Sequence, residues 1–237
     1  ANFREHLLPH LPKGGHVAEV GVNMAEFSRQ ILDQCAPEKL HLIDPWEMSH
    51  ADDDYAETVG HEAQTEQAED RYEHVLKTVG PELDKGIVEI HRAYSNDAVD
   101  SFADESLDWV YIDGNHMYEH VKKDLDLFGP KVKPDGFILG HDYANHDFAQ
   151  SYNFGVVEAV NEYVVENGCA FACLTAEPFP TYCLAKSPEA DRTQQFIANV
   201  LHNLMPVIKI ENFLDRTYQQ MVARFSNGNE RAVITLT

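Results

Sequence analysis

The sequence predicts an α/β fold: a doubly wound sheet of about seven strands, mostly parallel, with a C-terminal antiparallel hairpin. Three observations carry that prediction. Short apolar, β-branched and aromatic runs alternate with stretches of helical periodicity along most of the chain. The run Leu107–Ile112 is apolar enough for a central place in a parallel sheet. Polar tips carrying Gly, Asp and His follow these runs, as they do where strands of an open sheet face a ligand crevice.

The elements are read in chain order. His16–Val20 forms the first strand, then a Gly-containing turn and a helix over about 25–35. Residues 40–43 form a short second strand that ends in Asp44-Pro45-Trp46. An acidic stretch over 47–70 follows, read as a solvated lid, and then a helix to about residue 79. Residues 86–91 give the third strand and Leu107–Ile112 the fourth. The helix over 116–128 places Val121, Leu125 and Phe128 on one face. Pro134-Asp135-Gly136 reads as a turn before a short fifth strand over 137–139. A helix over 153–167 is closed by Gly168 as a C-terminal cap. Residues 171–174 and 181–185 then form a hairpin, and the tail from 187 to 237 mixes helix-like and strand-like stretches.

Composition sets outer bounds. At 237 residues and 43% hydrophobic, the chain is long and apolar enough for one such domain with a substantial core. A formal charge of −22, from 18 basic and 40 acidic side chains, argues against nucleic acid or an anionic membrane surface as partner. No apolar run reaches the roughly 18 residues of a membrane span. Arg4, Glu5, His6 and His10 interrupt the N-terminal apolar residues, unlike a signal peptide, so a cytoplasmic location is expected. Cys35, Cys169, Cys173 and Cys183 form no C-x-x-C pair and read as free core thiols.

The chemistry concentrates at strand tips. The first turn reads Glu19-Val-Gly21-Val-Asn23-Met-Ala25, with Ser28 one helical turn on. A pyrophosphate-binding turn wants Gly where Asn23 stands, and Glu19 would repel a phosphate but accept an ammonium group. A ligand with an amino-acid end therefore suits this turn better than a dinucleotide. Asp44, at the second tip, can accept both ribose hydroxyls. Trp46 either lies beside an adenine or covers the core. The fourth strand ends in Asp113-Gly114-Asn115-His116 and the fifth in Gly140-His141-Asp142-Tyr143. Asp113, His141 and Asp142 can converge as oxygen and nitrogen ligands for Mg²⁺ or another divalent ion. His116 is then free to act as a base near neutral pH. His120 reads as solvated, and Asp52-Asp53-Asp54 lacks the Gly and terminal Glu of a calcium loop.

The run from Asp108 through Asp113, His116 and Asp124 resembles the fourth-strand signature of class I S-adenosylmethionine-dependent methyltransferases, which have a Rossmann-like fold. More narrowly, it is similar to the metal-dependent small-molecule O-methyltransferases, the macrolide-sugar enzymes among them. The segment from Lys133 to Tyr143 and the Ile43-Asp44-Pro45-Trp46 tip look like the same branch, and the likeness spans about 14–186. The resemblance implies a methyltransferase domain over 1–186 and a C-terminal extension over 187–237, packed on the same domain. It implies that Glu19 and Gly21, with Ser28 nearby, meet the methionine part of S-adenosylmethionine, that Asp44 holds the ribose and that Ser95 sits near the adenine. Asp113 and Asp142 would be metal ligands and His116 the base, with His141 standing where relatives carry a carboxylate or amide.

The expected reaction is methyl transfer to a hydroxyl oxygen of a small molecule, the hydroxylated substrate being the partner and a homodimer a reasonable assembly. Two rivals share the fold. A nicotinamide-dependent oxidoreductase would want Gly in place of Asn23, and a non-catalytic nucleoside-binding protein would leave His116 and Asp142 without a role.

Overall fold

The computed structural model describes residues 4–47 and 67–237. Its core is a seven-stranded sheet in the order β3-β2-β1-β4-β5-β7-β6. The strands are β1 His16–Val20, β2 Lys39–Ile43, β3 Val88–His91, β4 Leu107–Ile112, β5 Val132–Gly140, β6 Ala170–Leu174 and β7 Tyr182–Ala185. β1 to β5 pair in parallel, whereas β7 runs antiparallel to both of its neighbours.

Alternation along the strands builds two cores. Val17, Leu40, Leu42, Trp109, Tyr111, Phe137 and Leu139 point to one face, and Ala18, Val20, Ile43, Val110, Ile112 and Ile138 to the other. Helix α1, Glu26–Cys35, covers the first face with Phe27, Ile31, Leu32 and Cys35. Helix α5, Tyr118–Phe128, covers the second with Val121, Leu125 and Phe128 and packs against α7, Val156–Asn167. Between them in sequence lie α2 Ala68–Thr78, α3 Gly80–Asp84, α4 Ser95–Ala98 and α6 Asp147–Ser151. Gly168 closes α7 at a left-handed φ of 66°, the cap its position predicts.

Strand order reverses between β1 and β4, so their C-terminal tips splay apart. That opening is where an open α/β sheet binds its ligand.

Several expectations need correction. Residues 134–136 are not a turn before a short strand; β5 runs through them. Leu107 pairs with Val132 and Trp109 with Phe137, so the extra residues form a bulge opposite β4. Gly136 permits this, because a Cβ there would meet the Asp108 carbonyl at 2.6 Å. The helix expected over 153–167 begins three residues later, after the short α6 capped by the His146 side chain. Helix α5 starts at Tyr118, leaving His116 in the preceding loop. The third strand starts at Val88, after Gly86 at φ 71°. Asp52, Asp53 and Asp54 lie outside the described residues.

The tail is ordered around two docking points. Helix α8, Asp191–Asn203, buries Phe196 and Val200, with Phe196 5.2 Å from Phe137. Strands β8 Tyr218–Arg224 and β9 Glu230–Leu236 form a separate antiparallel pair. Asn145 holds that pair to the body, donating to the Tyr218 carbonyl (2.8 Å) and accepting from the Gln220 amide (2.9 Å). All four cysteines are free thiols, three buried and Cys173 half-buried. No described helix is long and apolar enough to cross a membrane.

Candidate active site

The first turn is built from three left-handed residues, Gly21 (φ 85°), Asn23 (φ 52°) and Ala25 (φ 60°). Only glycine fits at position 21, since a Cβ would collide with the Asp113 carbonyl of the neighbouring strand. Asp44 ties the turn together. Its Oδ2 accepts from the Val22 (2.9 Å) and Asn23 (3.0 Å) amides, and its Oδ1 from the Trp46 amide (2.7 Å). Trp46 is 1% exposed, donates from Nε1 to the Asn23 carbonyl at 2.9 Å and lies 4.9 Å from the Tyr72 ring. It packs in the core beneath the turn and also lines the cleft.

At the splayed tips lies a cleft of about 1000 Å³. Glu19, Gly21, Asn23, Asp44, Trp46, Ser95, Asp113, His116, His141 and Asp142 all line it. Ser28 does not. It is fully buried behind Glu19 and donates to Oε2 at 2.5 Å, so it positions that carboxyl. Burial, the largest influence, pushes Glu19 up to about 8 despite this hydrogen bond. In the open cleft at pH 7 Glu19 therefore keeps its proton.

The two tips meet as the spacing of strands predicts. The His141 Nδ1 is 3.0 Å from Asp142 Oδ1 and 3.7 Å from Asp113 Oδ1. His116 Nδ1 stands 3.3 Å from the other Asp142 oxygen. Asp142 adopts φ 60°, a conformation unfavourable for a non-glycine residue and common at functional sites. Burial raises Asp113 to about 6, against the opposing pull of His141 and Arg4. Burial acts the same way on Asp142, but the hydrogen bond from His141 and the charges around it hold that carboxyl below its ordinary value. Burial disfavours charge on His141, yet Asp113 and Asp142 keep it above the usual histidine value. Burial dominates at His116 and lowers it, so that ring is neutral near pH 7.

Residues 18–143, more than half of the 237, match the family described as Methyltransferase domain. The chain belongs to that family. Its fold is that of class I, S-adenosylmethionine-dependent methyltransferases, and the family match counts against the nicotinamide alternative. An O-methyltransferase family protein from Burkholderia thailandensis shares the fold, with a TM-score of 0.53 at 13% identity over 79% of this chain and 56% of that one. So does TrmK from M. capricolum, whose structure holds S-adenosyl-homocysteine, with a TM-score of 0.54 at 11% identity over 79% and 69%. An uncharacterized protein, y4gI, from Sinorhizobium fredii is 35% identical over 60 residues, which are 25% of this chain and 6% of that protein. The chain thus spans only a small part of that relative's length.

Two cleft residues escaped the sequence reading. Arg4 donates from Nη1 to Asp113 Oδ2 at 3.0 Å and lies with its guanidinium 4.7 Å over the Phe27 ring. Asp124 is buried on α5 and hydrogen-bonded to Ser95, and burial pushes it up to about 6. Its helical position, three after Val121 and four before Phe128 on the buried face, gives a weak signal; Arg4, in a three-residue 3₁₀ segment 109 positions from its partner, gives none. His120 is exposed at the cleft rim.

Proposed function

We propose that this methyltransferase moves a methyl group from S-adenosylmethionine to a hydroxyl oxygen of a small molecule, using His116 as the base and a divalent ion, Mg²⁺ in the first instance. The observation that carries the reading is the His116–Asp142 pair, 3.3 Å apart, beside the cluster of Asp113, His141 and Asp142.

The residues fit an ion. Ligand atoms of Asp113, His141 and Asp142 all lie within 4.8 Å of one another, and two carboxylates offer the anionic oxygens a hard divalent cation takes. The imidazole of His141 suits Mn²⁺ as well as Mg²⁺. When bound there, the ion would lower the pKa of an acceptor hydroxyl. Neutral His116 takes the proton that hydroxyl gives up, and Asp142 stabilises the imidazolium that results. Glu19 and Asp113 would offer carboxyl groups to the amino-acid end of the cofactor, while Asp44 holds the turn that its ribose would meet. When bound, the cofactor would supply a sulfonium whose charge disperses in the transition state, so the carboxyl groups of the cleft would serve binding more than rate.

Calorimetry with S-adenosylmethionine, with and without Mg²⁺, tests this. Binding at micromolar level, an added Mg²⁺ heat that Asp142→Ala abolishes, and loss of methyl transfer to hydroxylated acceptors in His116→Ala would support it. Full transfer in the presence of EDTA would remove the metal from the proposal, and full transfer by His116→Ala would remove the base.

One contact favours a second reading. Arg4 already places a positive charge 3.0 Å from Asp113 Oδ2. In that reading Arg4 supplies the cation at this tip, and the transfer needs no metal.

A further inference from the structure

Away from the cleft, the edge of the sheet carries a second set of ligating side chains. His41 on β2 and Glu89 and His91 on β3 point to the face opposite Leu40, Leu42, Val88 and Ile90. His41 Nδ1 lies 3.1 Å from His91 Nε2, and that nitrogen lies 3.8 Å from Glu89 Oε1. One ligand atom from each residue falls within 4.8 Å of the other two. We propose that His41, Glu89 and His91 form a binding site for a borderline divalent ion of the zinc class, distinct from the cleft.

The geometry supports an ion of that size. Tetrahedral zinc, with bonds of roughly 2.0–2.1 Å to nitrogen, sets its ligand atoms roughly 3.3–3.4 Å apart. The observed separations of 3.1 and 3.8 Å bracket that value, so small side-chain rotations suffice. Two imidazoles with one carboxylate are a zinc-type donor set, whereas magnesium and calcium prefer oxygen throughout.

The surroundings orient the ligands. Lys39 Nζ holds the other Glu89 oxygen, Oε2, at 3.1 Å, and also donates to the Gly86 carbonyl at 2.9 Å. Oε1 is thereby left facing His91. Such an outer partner fixes how a ligand presents its lone pairs. The Phe102 ring closes the floor, 4.8 Å from His41 and 5.4 Å from His91. On β1 the exposed His16 ring, 6.3 Å from His41, offers a further nitrogen if the fourth position is not taken by water. Burial keeps His41 and His91 below the ordinary histidine value, which leaves both rings in the neutral form that ligates.

An ion here would pin β2 to the edge strand β3. The chain leaving β3 runs directly into Ala93, Tyr94, Ser95 and Asn96, which line the cleft. The proposed ion is thus structural: it steadies one wall of the cofactor site without touching it.

The full chain carrying Asp142→Ala, which disables the cleft cluster, separates the two sites. Zinc competed against a chromophoric chelator should bind this variant at one equivalent, and zinc should raise its melting temperature. Adding His91→Ala should weaken zinc by about a hundredfold or more, since even outer-shell losses cost about 10–100-fold. Glu89 is exposed, so Glu89→Gln keeps the fold and should also lose affinity. Cobalt should give the intense visible absorption of a tetrahedral nitrogen and oxygen site, reduced in Glu89→Gln. The proposal is overturned if Asp142→Ala binds no zinc at micromolar level, or if His91→Ala and Glu89→Gln leave its zinc binding unchanged.

Discussion

Arg4 and Asp113, 109 positions apart in sequence, form an ion pair at 3.0 Å inside the cleft. The pair places a cation at the tip of the fourth strand, where both residues line the cleft. It is incompletely satisfied: among the described residues no acceptor meets the buried Arg4 Nε, which costs free energy.

Arg4 therefore tunes Asp113. Burial raises that carboxyl to about 6, and the guanidinium opposes the rise. Asp113 has to be ionised to hold either a metal ion or an ammonium group, so activity should fall as pH drops through about 6. Removing Arg4 raises the pKa further, and the acidic limb of kcat/KM should move to higher pH in Arg4→Ala. Arg4→Lys, which keeps the charge, should return it most of the way. A limb in the same place for wild type and Arg4→Ala would show that Asp113 is set by its other neighbours.

Glu19 predicts a proton on the other side of the account. Its pKa of about 8 in the open cleft means that it is protonated at pH 7. A cationic ligand group beside it favours the carboxylate, so cofactor binding at pH 7 should release a proton. The binding heat should then vary with the ionisation enthalpy of the buffer. In Glu19→Gln that dependence should vanish, and a dependence that persists would assign the proton to another group.

Asp44 is engaged with three backbone amides, so its removal should act through the turn as well as through the ribose. Asp44→Ala should weaken S-adenosylhomocysteine by about 1–3 kcal/mol, roughly 5- to 150-fold in Kd. Asp44→Asn retains one accepting oxygen and should fall between. Equal affinities for all three proteins, measured by calorimetry, would contradict a role for this carboxylate.

The reach of the sequence follows from how local each signal is. His16–Val20 and Leu107–Ile112 were legible to the residue, because apolar runs and polar tips sit within the elements themselves. Gly168 announced its cap for the same reason. The cleft was legible as tips of neighbouring strands, which brought Asp113, His141 and Asp142 together. Residues 134–136 misled because Pro-Asp-Gly is turn chemistry, yet β4 continues pairing across it and converts it to a bulge. Ser28 lies on the inner face of α1 and so braces Glu19 from behind. The tail stayed unread because its anchors, Asn145 to Tyr218 and Asp108 to Arg192, join residues far apart in the chain.

Asp108 is the clearest of those long-range anchors, and its stability contribution can be worked out with its sign. It is 4% exposed at the entry of β4, and it accepts from Lys133 Nζ (2.8 Å), Arg192 Nη1 (2.9 Å) and the His16 amide (2.9 Å). Burial pushes its pKa up, but the two cations and the amide outweigh it, so the folded value lies below the ordinary 3.8. A depressed carboxylate stabilises the fold above its unfolded pKa, and that contribution is lost as pH falls through the folded value. Asp108→Asn should therefore cost about 2–4 kcal/mol at pH 7, mostly by leaving Lys133 without its anion and Arg192 with Asp135 alone. For a chain of this size that is a fall in Tm of roughly 5–15 °C. Arg192→Met should cost less, about 1 kcal/mol, because Lys133 remains and a third of the Arg192 side chain is already in water. The stabilities of wild type and Asp108→Asn should converge as pH drops below about 4, the unfolded carboxylate range. A gap that stays constant with pH in chemical denaturation would mean that the substitution acts through packing rather than charge.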